Sequence, residues 1–365
     1  MTIVGVDLLP YAVPLATPLA TARGTLARRV GCVVRLRTDD GHVALGDAAP
    51  HPHDGEDALP RLRSALGEAT RWLCGASIAR ADELIDVATR LGGAVAMGID
   101  LALHDLLARV RGVAVAELLG GARCDVDASA LLAGDDEIAA ARAAAAAGYE
   151  TVKLKAGADR RTLAARVRAI RDAVPTVALR IDPNGAWSAD DACATVAALA
   201  PRALELLEQP VAAGDLDGLA RVRSLAQTRG IRIAADEAVT GPEAVRRIAA
   251  LGAADVVVVK LVQVGGLRRA LETVAAARSA ALGVMVTTGL DAGVATAAAL
   301  HLAAVVQHLT PAAERLAHGV ATGALLATDL VDAPIVPAPR MPLPDGAGLG
   351  VTLDPRSSAW LREAA

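Results

Sequence analysis

The sequence predicts an α/β protein in which an α+β unit precedes a barrel of the (β/α)8 type, and three observations carry that prediction. The texture of the chain changes near residue 120, from hairpin and helix signals to a repeated unit of apolar strand, turn and Ala/Arg-rich helix. From the second strand of that repeat onward, strand ends recur every 24 to 28 residues, the short period of βαβ units in a parallel sheet. Five consecutive strands close on an ionisable residue, whereas no GxGxxG follows the first strand, which argues against a dinucleotide fold.

Ahead of the repeat, two β-branched runs, Val30–Arg37 and His42–Ala49, flank Thr38-Asp39-Asp40-Gly41, whose Asp-Gly step is a hairpin signal. Helical stretches are predicted at Glu56–Leu73, Ala81–Thr89 and Ala94–Arg109, ending in the Gly-rich AELLGGAR. Strands are predicted near Val126–Leu132, Thr151–Lys155, Val177–Asp182, Leu204–Glu208, Ile231–Asp236, Asp255–Lys260 and Val284–Thr288, with a weaker eighth at Leu316–Ala321. Pro334, Pro337, Pro339, Pro342 and Pro344 then precede DGAGLGVTLD, which reads as extended chain returning to the first unit.

Composition narrows the function. The 365 residues are 53% apolar and lack Phe, so Ala, Val and Leu must fill the core. Aromatics at 1% and a net charge of -4 exclude stacking platforms and the basic footprint that nucleic acids require. Cys32, Cys74, Cys124 and Cys193 show no CxxC spacing and read as reduced thiols of a cytoplasmic protein. The start MTIVGVDLLPYAVPL has no basic n-region, so no signal peptide is expected. The uncharged stretch Ala292–Ala313 is interrupted by His301, Gln307, His308 and Pro311 and is too broken for a membrane span.

The chemistry is carried by lysine placement. Only three lysines occur against 34 arginines, and all lie at strand ends: Lys153 and Lys155 in TVKLK, Lys260 in DVVVVK. An ammonium can be tuned to lose its proton and a guanidinium cannot. The ends of the second to sixth strands are Lys155, Asp182, Glu208, Asp236 and Lys260, and in a parallel barrel these side chains converge on one mouth. Three carboxylates without His or Cys describe a Mg2+ site better than a zinc site, with Mn2+ acceptable in its place. Lys155 and Lys260 would face each other across it. Lys153 and Lys155 are two apart on one strand and point the same way, so repulsion, partial burial and the cation are expected to push lysine toward neutrality. That set suits removal of a proton next to a carboxylate.

Near those residues, Asn184 reads either as a ligand-orienting side chain or as part of the DPNG loop. His51 and His53 in HPHDGED read as loop, and Gly265-Gly266 as tight helix entry rather than a phosphate cradle.

In KLK (Lys153–Lys155), DPNGAW (Asp182–Trp187), LEQP (Leu207–Pro210), ADEA (Ala235–Ala238) and VVKLVQVGG (Val258–Gly266) the chain resembles the enolase superfamily, muconate-lactonizing-enzyme subgroup. The resemblance implies a modified (β/α)7β TIM barrel under an α+β cap, with residues 1–122 as cap, 123–327 as barrel and 328–365 returning to the cap. It further implies Asp182, Glu208 and Asp236 as metal ligands, Lys155 as base, Lys260 as its partner on the other face and Lys153 as the tuner of Lys155.

Within the subgroup, the segment TPLATARGTLARRVGCVVRLRTDDGHVALGDAAP, with Arg23-Gly24 in the loop that closes over substrate, is similar to the cap of o-succinylbenzoate synthases, as are TTGLDAG (Thr287–Gly293) and AHGVATGALLATDL (Ala317–Leu330). Asp47 departs from the Glu usual in the GEA motif there, which bears on loop anchoring. Arg23, Asn184, Thr288, Gly289, Leu290 and Asp291 are the implied substrate contacts. The implied function is a Mg2+-dependent lyase that removes an α-proton and eliminates water, as in menaquinone biosynthesis. The alternatives are an N-acylamino acid racemase, a dipeptide epimerase or a muconate-type cycloisomerase. The acidic DxD element that dipeptide epimerases use to hold an ammonium is absent from Arg315–Thr322, leaving Asp291 as its substitute. The expected partner is a small-molecule carboxylate, with nucleic acid and membrane excluded and homo-oligomerisation left open.

Overall fold

The computed structural model describes all residues other than 22–23, 55–57, 135, 202 and 358–365. The cap opens with a three-stranded antiparallel sheet of β1 (Ile3–Thr21), β2 (Gly24–Thr38) and β3 (Val43–Ala48), followed by α1 (Ala58–Leu73), α2 (Ala81–Thr89), α3 (Gly93–Arg111) and the short α4 (Val115–Leu118). The Asp-Gly signal marks the β2–β3 turn, whereas β1 and its long pairing with β2 were not anticipated. Proline at positions 10, 14 and 18 lowers strand propensity along β1, and its role as the outer strand of the hairpin accommodates them. Helix α3 lies against the sheet closely enough that a Cβ on Gly46 would fall 1.9 Å from the Gly98 carbonyl oxygen.

The barrel follows: β4 (Val126–Asp127), β5 (Ala130–Leu132), α5 (Glu137–Ala146), β6 (Thr151–Lys155), α6 (Leu163–Ala173), β7 (Ala178–Asp182), α7 (Ala189–Ala198), β8 (Leu206–Glu208), α8 (Leu216–Thr228), β9 (Arg232–Ala235), α9 (Pro242–Ala250), β10 (Val256–Val259), α10 (Leu261–Val264), α11 (Leu267–Ser279), β11 (Gly283–Val286) and α12 (Gly293–Leu309). Strands β5 to β11 form one parallel sheet in sequence order. Asp136, Ser188 and Asp215 start helices α5, α7 and α8, each accepting a backbone N–H with its side chain.

Alternation along the strands separates the two faces. Val257 and Val259 join the large core under the helices, while Leu206, Ala234, Val256, Val258, Met285 and Leu316 pack together as a separate cluster within the barrel. The all-valine β10 is buried on both sides, as a barrel strand must be. Helix α12 is buried at every residue from Gly293 to Gln307, between β3, α4, α11 and β11, which accounts for its lack of charge. Among the described residues no helix is long and apolar enough to cross a membrane.

The weak eighth strand closes the barrel through single bridges. Gly319 pairs with Thr287 and His318 with Ala128, the latter reinforced by the His318 N–H to the Asp127 carbonyl at 2.7 Å. The tail does not simply return to the cap: β12 (Arg340–Met341) pairs with β4 of the barrel, and Gly348 then pairs with Ala114 below α3. Asp105 of α3 fixes that crossing by accepting from the amides of both Leu45 and Leu349, at 2.8 and 2.7 Å, and from Arg109.

His318 also accepts the Val286 N–H at Nδ1, 3.0 Å away. Burial, with the Arg180 charge adding, holds its imidazole down at about 3. The unfolded chain therefore binds one more proton between that value and about 6.5, so stability is lost as pH falls through this window. His318→Asn, which keeps an acceptor for Val286, is expected to cost about 1–2 kcal/mol near neutrality. It should lose less stability than the wild type between about pH 6.5 and pH 4, as read from denaturant midpoints across pH.

Candidate metal and proton-transfer site

Register brings the ionisable strand ends together. Lys155 and Asp182 are paired residues of β6 and β7, and Glu208 ends β8 opposite Ala234 of β9. Asp236 and Lys260 stand one residue beyond β9 and β10 rather than at their last positions, yet open on the same mouth. Asp182, Glu208 and Asp236 are all buried, and each offers a carboxylate oxygen within 4.8 Å of the others. The loops behind them are locked by Gln209, a residue sequence reasoning passed over within LEQP. At φ 36° it accepts from the Asp236 and Ala238 amides and donates to the Val211 carbonyl.

All three lysines point into this cluster. Lys153 Nζ lies 2.8 Å from Asp182 Oδ2 and 2.7 Å from Glu208 Oε1. Lys155 Nζ donates to Asp182 Oδ2 at 2.5 Å and to Asn184 Oδ1 at 2.9 Å, and Lys260 donates to Asp236 Oδ2. Two lysines are thus anchored on different carboxylates, one on the β6–β7 side and one on the β9–β10 side.

The carboxylates, more than the spacing of the lysines, set the charge balance of Lys153 and Lys260. Burial works against the Lys153 ammonium, but Asp182, Glu208 and Asp236 outweigh it and hold its pKa above the ordinary lysine value. The same balance, with Asp236 as the leading carboxylate, raises Lys260. Like-charge repulsion is real and is exceeded by attraction to the carboxylates at hydrogen-bond distance. Burial would raise Asp182, yet Lys153 and Lys155 hold it below the usual carboxylate range, whereas burial pushes Glu208 up to about 7 despite Lys153.

A hard divalent cation fits this donor set. The ligand atoms are carboxylate oxygens and, among the described residues, no His or Cys joins them and Asp236 Oδ1 is buried without a hydrogen-bond partner.

The expected substrate contacts are placed as follows. Asn184, at φ 51°, donates its backbone N–H to Asp182 Oδ1 and its amide to Glu237 Oε1 at 3.1 Å. Thr288 Oγ1 is taken up by the Gly319 carbonyl and the Thr322 hydroxyl, tying the loop after β11 to the eighth strand. The Gly289 amide donates to Asp291, and Leu290 is a buried residue at φ 71°. Asp291 is 5% exposed and faces Arg29 of the cap at 3.4 Å, so its carboxylate already has a cationic partner. Arg23 lies outside the described residues.

Asp47 is buried under the same contact, accepting from the Tyr11 hydroxyl at 2.9 Å, and burial pushes it up to about 7. It ties Tyr11 of β1 to β3 within the cap sheet. Of the remaining motifs, Gly265 and Gly266 serve helix entry, since the Asp100 carboxylate accepts the Leu267 and Arg268 amides where a phosphate would sit. His51 and Pro52–Asp54 form a loop with a single 3-10 turn.

Comparison with known proteins agrees with this fold. The model described as "Mandelate racemase / muconate lactonizing enzyme, N-terminal domain" matches residues 3–120, and "Enolase C-terminal domain-like" matches residues 136–357. The hydrophobic dipeptide epimerase of Enterococcus faecalis is 30% identical over 348 residues, covering 93% of this chain and 96% of that protein. A chloromuconate cycloisomerase of Cupriavidus necator is 29% identical over 357 residues, covering 94% of each. The Enterococcus faecalis dipeptide epimerase structure, complexed with Mg and the dipeptide L-Leu-L-Tyr, superposes with a TM-score of 0.88 at 26% identity, over 96% of this chain and 100% of that one.

A divalent cation that binds the folded chain alone should raise its unfolding midpoint by adding about 2.7 kcal/mol of stability at a hundredfold excess over Kd. Asp236→Asn is expected to remove most of that increment while leaving the far-ultraviolet circular dichroism unchanged, as followed by thermal denaturation with and without the cation.

Proposed function

Because the chain belongs to the mandelate racemase / muconate lactonizing enzyme family of the enolase superfamily, we propose that it is a Mg2+-dependent isomerase that moves a proton on the carbon next to a substrate carboxylate. The observation that carries this reading is the placement of two lysines on different members of one carboxylate cluster, Lys155 on Asp182 and Lys260 on Asp236. The isomerase relatives support it. A cytoplasmic location is in keeping with four unpaired cysteines.

Mg2+ held by Asp182, Glu208 and Asp236 supplies Lewis-acid stabilisation of the negative charge that develops on the substrate carboxylate. Lys155, held at its Nζ by Asp182 and Asn184, removes the α-proton from one face. Lys260 delivers a proton to the other face, and the roles exchange for the opposite enantiomer. Lys153, bound to both Asp182 and Glu208, stays an ammonium that holds those carboxylates in place.

The preferred substrate is an anionic carboxylate without a free ammonium, such as an N-acylamino acid. What supports this is that Asp291, the acidic side chain of the loop after β11, is engaged by Arg29 and the Gly289 amide, while Arg315–Thr322 holds no carboxylate. The same feature favours a second reading, dehydration of a succinyl-hydroxycyclohexadiene carboxylate to o-succinylbenzoate. In that reaction Lys155 removes the α-proton, Lys260 stabilises the enediolate, and Lys155 returns its proton to the leaving hydroxyl, which departs as water. The relatives reported above are isomerases, so dehydration stands second.

In deuterium oxide with Mg2+, both enantiomers of an N-succinyl amino acid are expected to exchange the α-proton and interconvert faster than free dipeptides. Lys155→Ala and Lys260→Ala should each cut turnover by about 10²–10⁴-fold and each abolish exchange from one enantiomer. Dehydration of the cyclohexadiene acid without amino-acid exchange would establish the second reading instead.

A further inference from the structure

We infer that Glu237 is a positioning residue for Lys155, acting through the side-chain amide of Asn184, an inference that rests on the two-lysine reading above. Glu237 follows Asp236 in the loop after β9, while Asn184 stands in the loop after β7, so the two meet across the mouth of the barrel. Glu237 Oε1 accepts from Asn184 Nδ2 at 3.1 Å, and Asn184 Oδ1 accepts from Lys155 Nζ at 2.9 Å.

A carboxylate only accepts and an ammonium only donates, so one of the two orientations of the amide satisfies both neighbours. Asp182 Oδ2 lies on the Nδ2 side as well, at 3.3 Å, and enforces the same choice less closely. The Lys155 side chain is 46% exposed and carries a flexible four-carbon stem, so its Nζ position depends on these contacts. A reacting amine that drifts from its line of attack loses rate steeply.

Glu237 shows a second sign of constraint. Among the described residues its Oε2 is buried without a hydrogen-bond partner, a costly placement that an alanine or methionine would avoid. Lys260 is anchored directly by Asp236, so the influence of Glu237 is one-sided. If Glu237 merely shaped its loop, the disturbance would pass first to the adjoining Asp236, and hence to Lys260.

The test measures α-proton exchange separately on each enantiomer of an N-succinyl amino acid, with Lys155→Ala and Lys260→Ala identifying which lysine serves which enantiomer. Glu237→Ala is expected to slow the Lys155-dependent exchange about tenfold, the worth of a hydrogen bond to a charged group, and to spare the Lys260-dependent one. Glu237→Gln, whose amide oxygen can still accept, should recover most of the loss. In an Asn184→Ala background, Glu237→Ala should add nothing. Equal slowing on both enantiomers, a larger effect on the Lys260 side, or additivity with Asn184→Ala would overturn the assignment. If the wild type exchanges neither enantiomer, the functional reading fails by itself. A crystal structure of Glu237→Ala then decides the remaining point: an undisturbed Lys155–Asn184 contact refutes positioning, and its loss upholds it.

Discussion

Three buried carboxylates cannot remain ionised side by side unless positive charge lies among them, and the rest of this structure is arranged around that requirement. Lys153 meets it from the inside by bridging Asp182 and Glu208, and Lys155 and Lys260 meet it from two sides. Asp236 keeps one oxygen without a partner. The cluster is therefore held together by lysines in a form that leaves it ready for a cation. Its geometry needs a closed parallel barrel, because only there do neighbouring strands end at one level with their side chains aimed at one axis.

The cap is bound to the barrel by charges of the same buried kind. Helix α3 presents Asp100 to the first amides of α11, seven residues after Lys260 on the chain, and presents Asp105 to the cap sheet and the tail at once. Arg29 of β2 meets Asp291 in the loop after β11. These contacts satisfy helix-end and loop groups that would otherwise be buried without partners. They also fix the cap over the loops that border the mouth, so the cap and the carboxylate cluster share one frame.

The contact between Arg29 and Asp291 has a chemical consequence. A carboxylate paired with a guanidinium in a nearly dry setting is poorly placed to receive an ammonium from a ligand, because the ligand would have to displace a better-organised partner. On the function proposed above, selectivity against free amines follows from the joint between domains rather than from a dedicated rejecting group.

Much of this was legible in the order of residues. The strand period, the ionisable strand ends and the restriction of lysine to three positions located the barrel and the six charged residues that the fold gathers at its mouth, because strand and helix periodicity and the direction of parallel strands are local properties. What the sequence could not show is where partners come from. Arg29 and Asp291 are 262 residues apart, and Asp105 and Leu349 are 244 apart, so no local pattern announces either contact. For the same reason the spacing of Lys153 and Lys155 shows only their mutual repulsion, whereas the folded chain surrounds Lys153 and Lys260 with carboxylates that favour their charged forms. Glu237 stood in plain view within ADEA, and only folding set it against Asn184. Residue types and their period determined the chemistry that is available. Tertiary packing decided its charge states and its neighbours, because electrostatic and hydrogen-bond energies depend on distances that the chain sets only when the barrel closes.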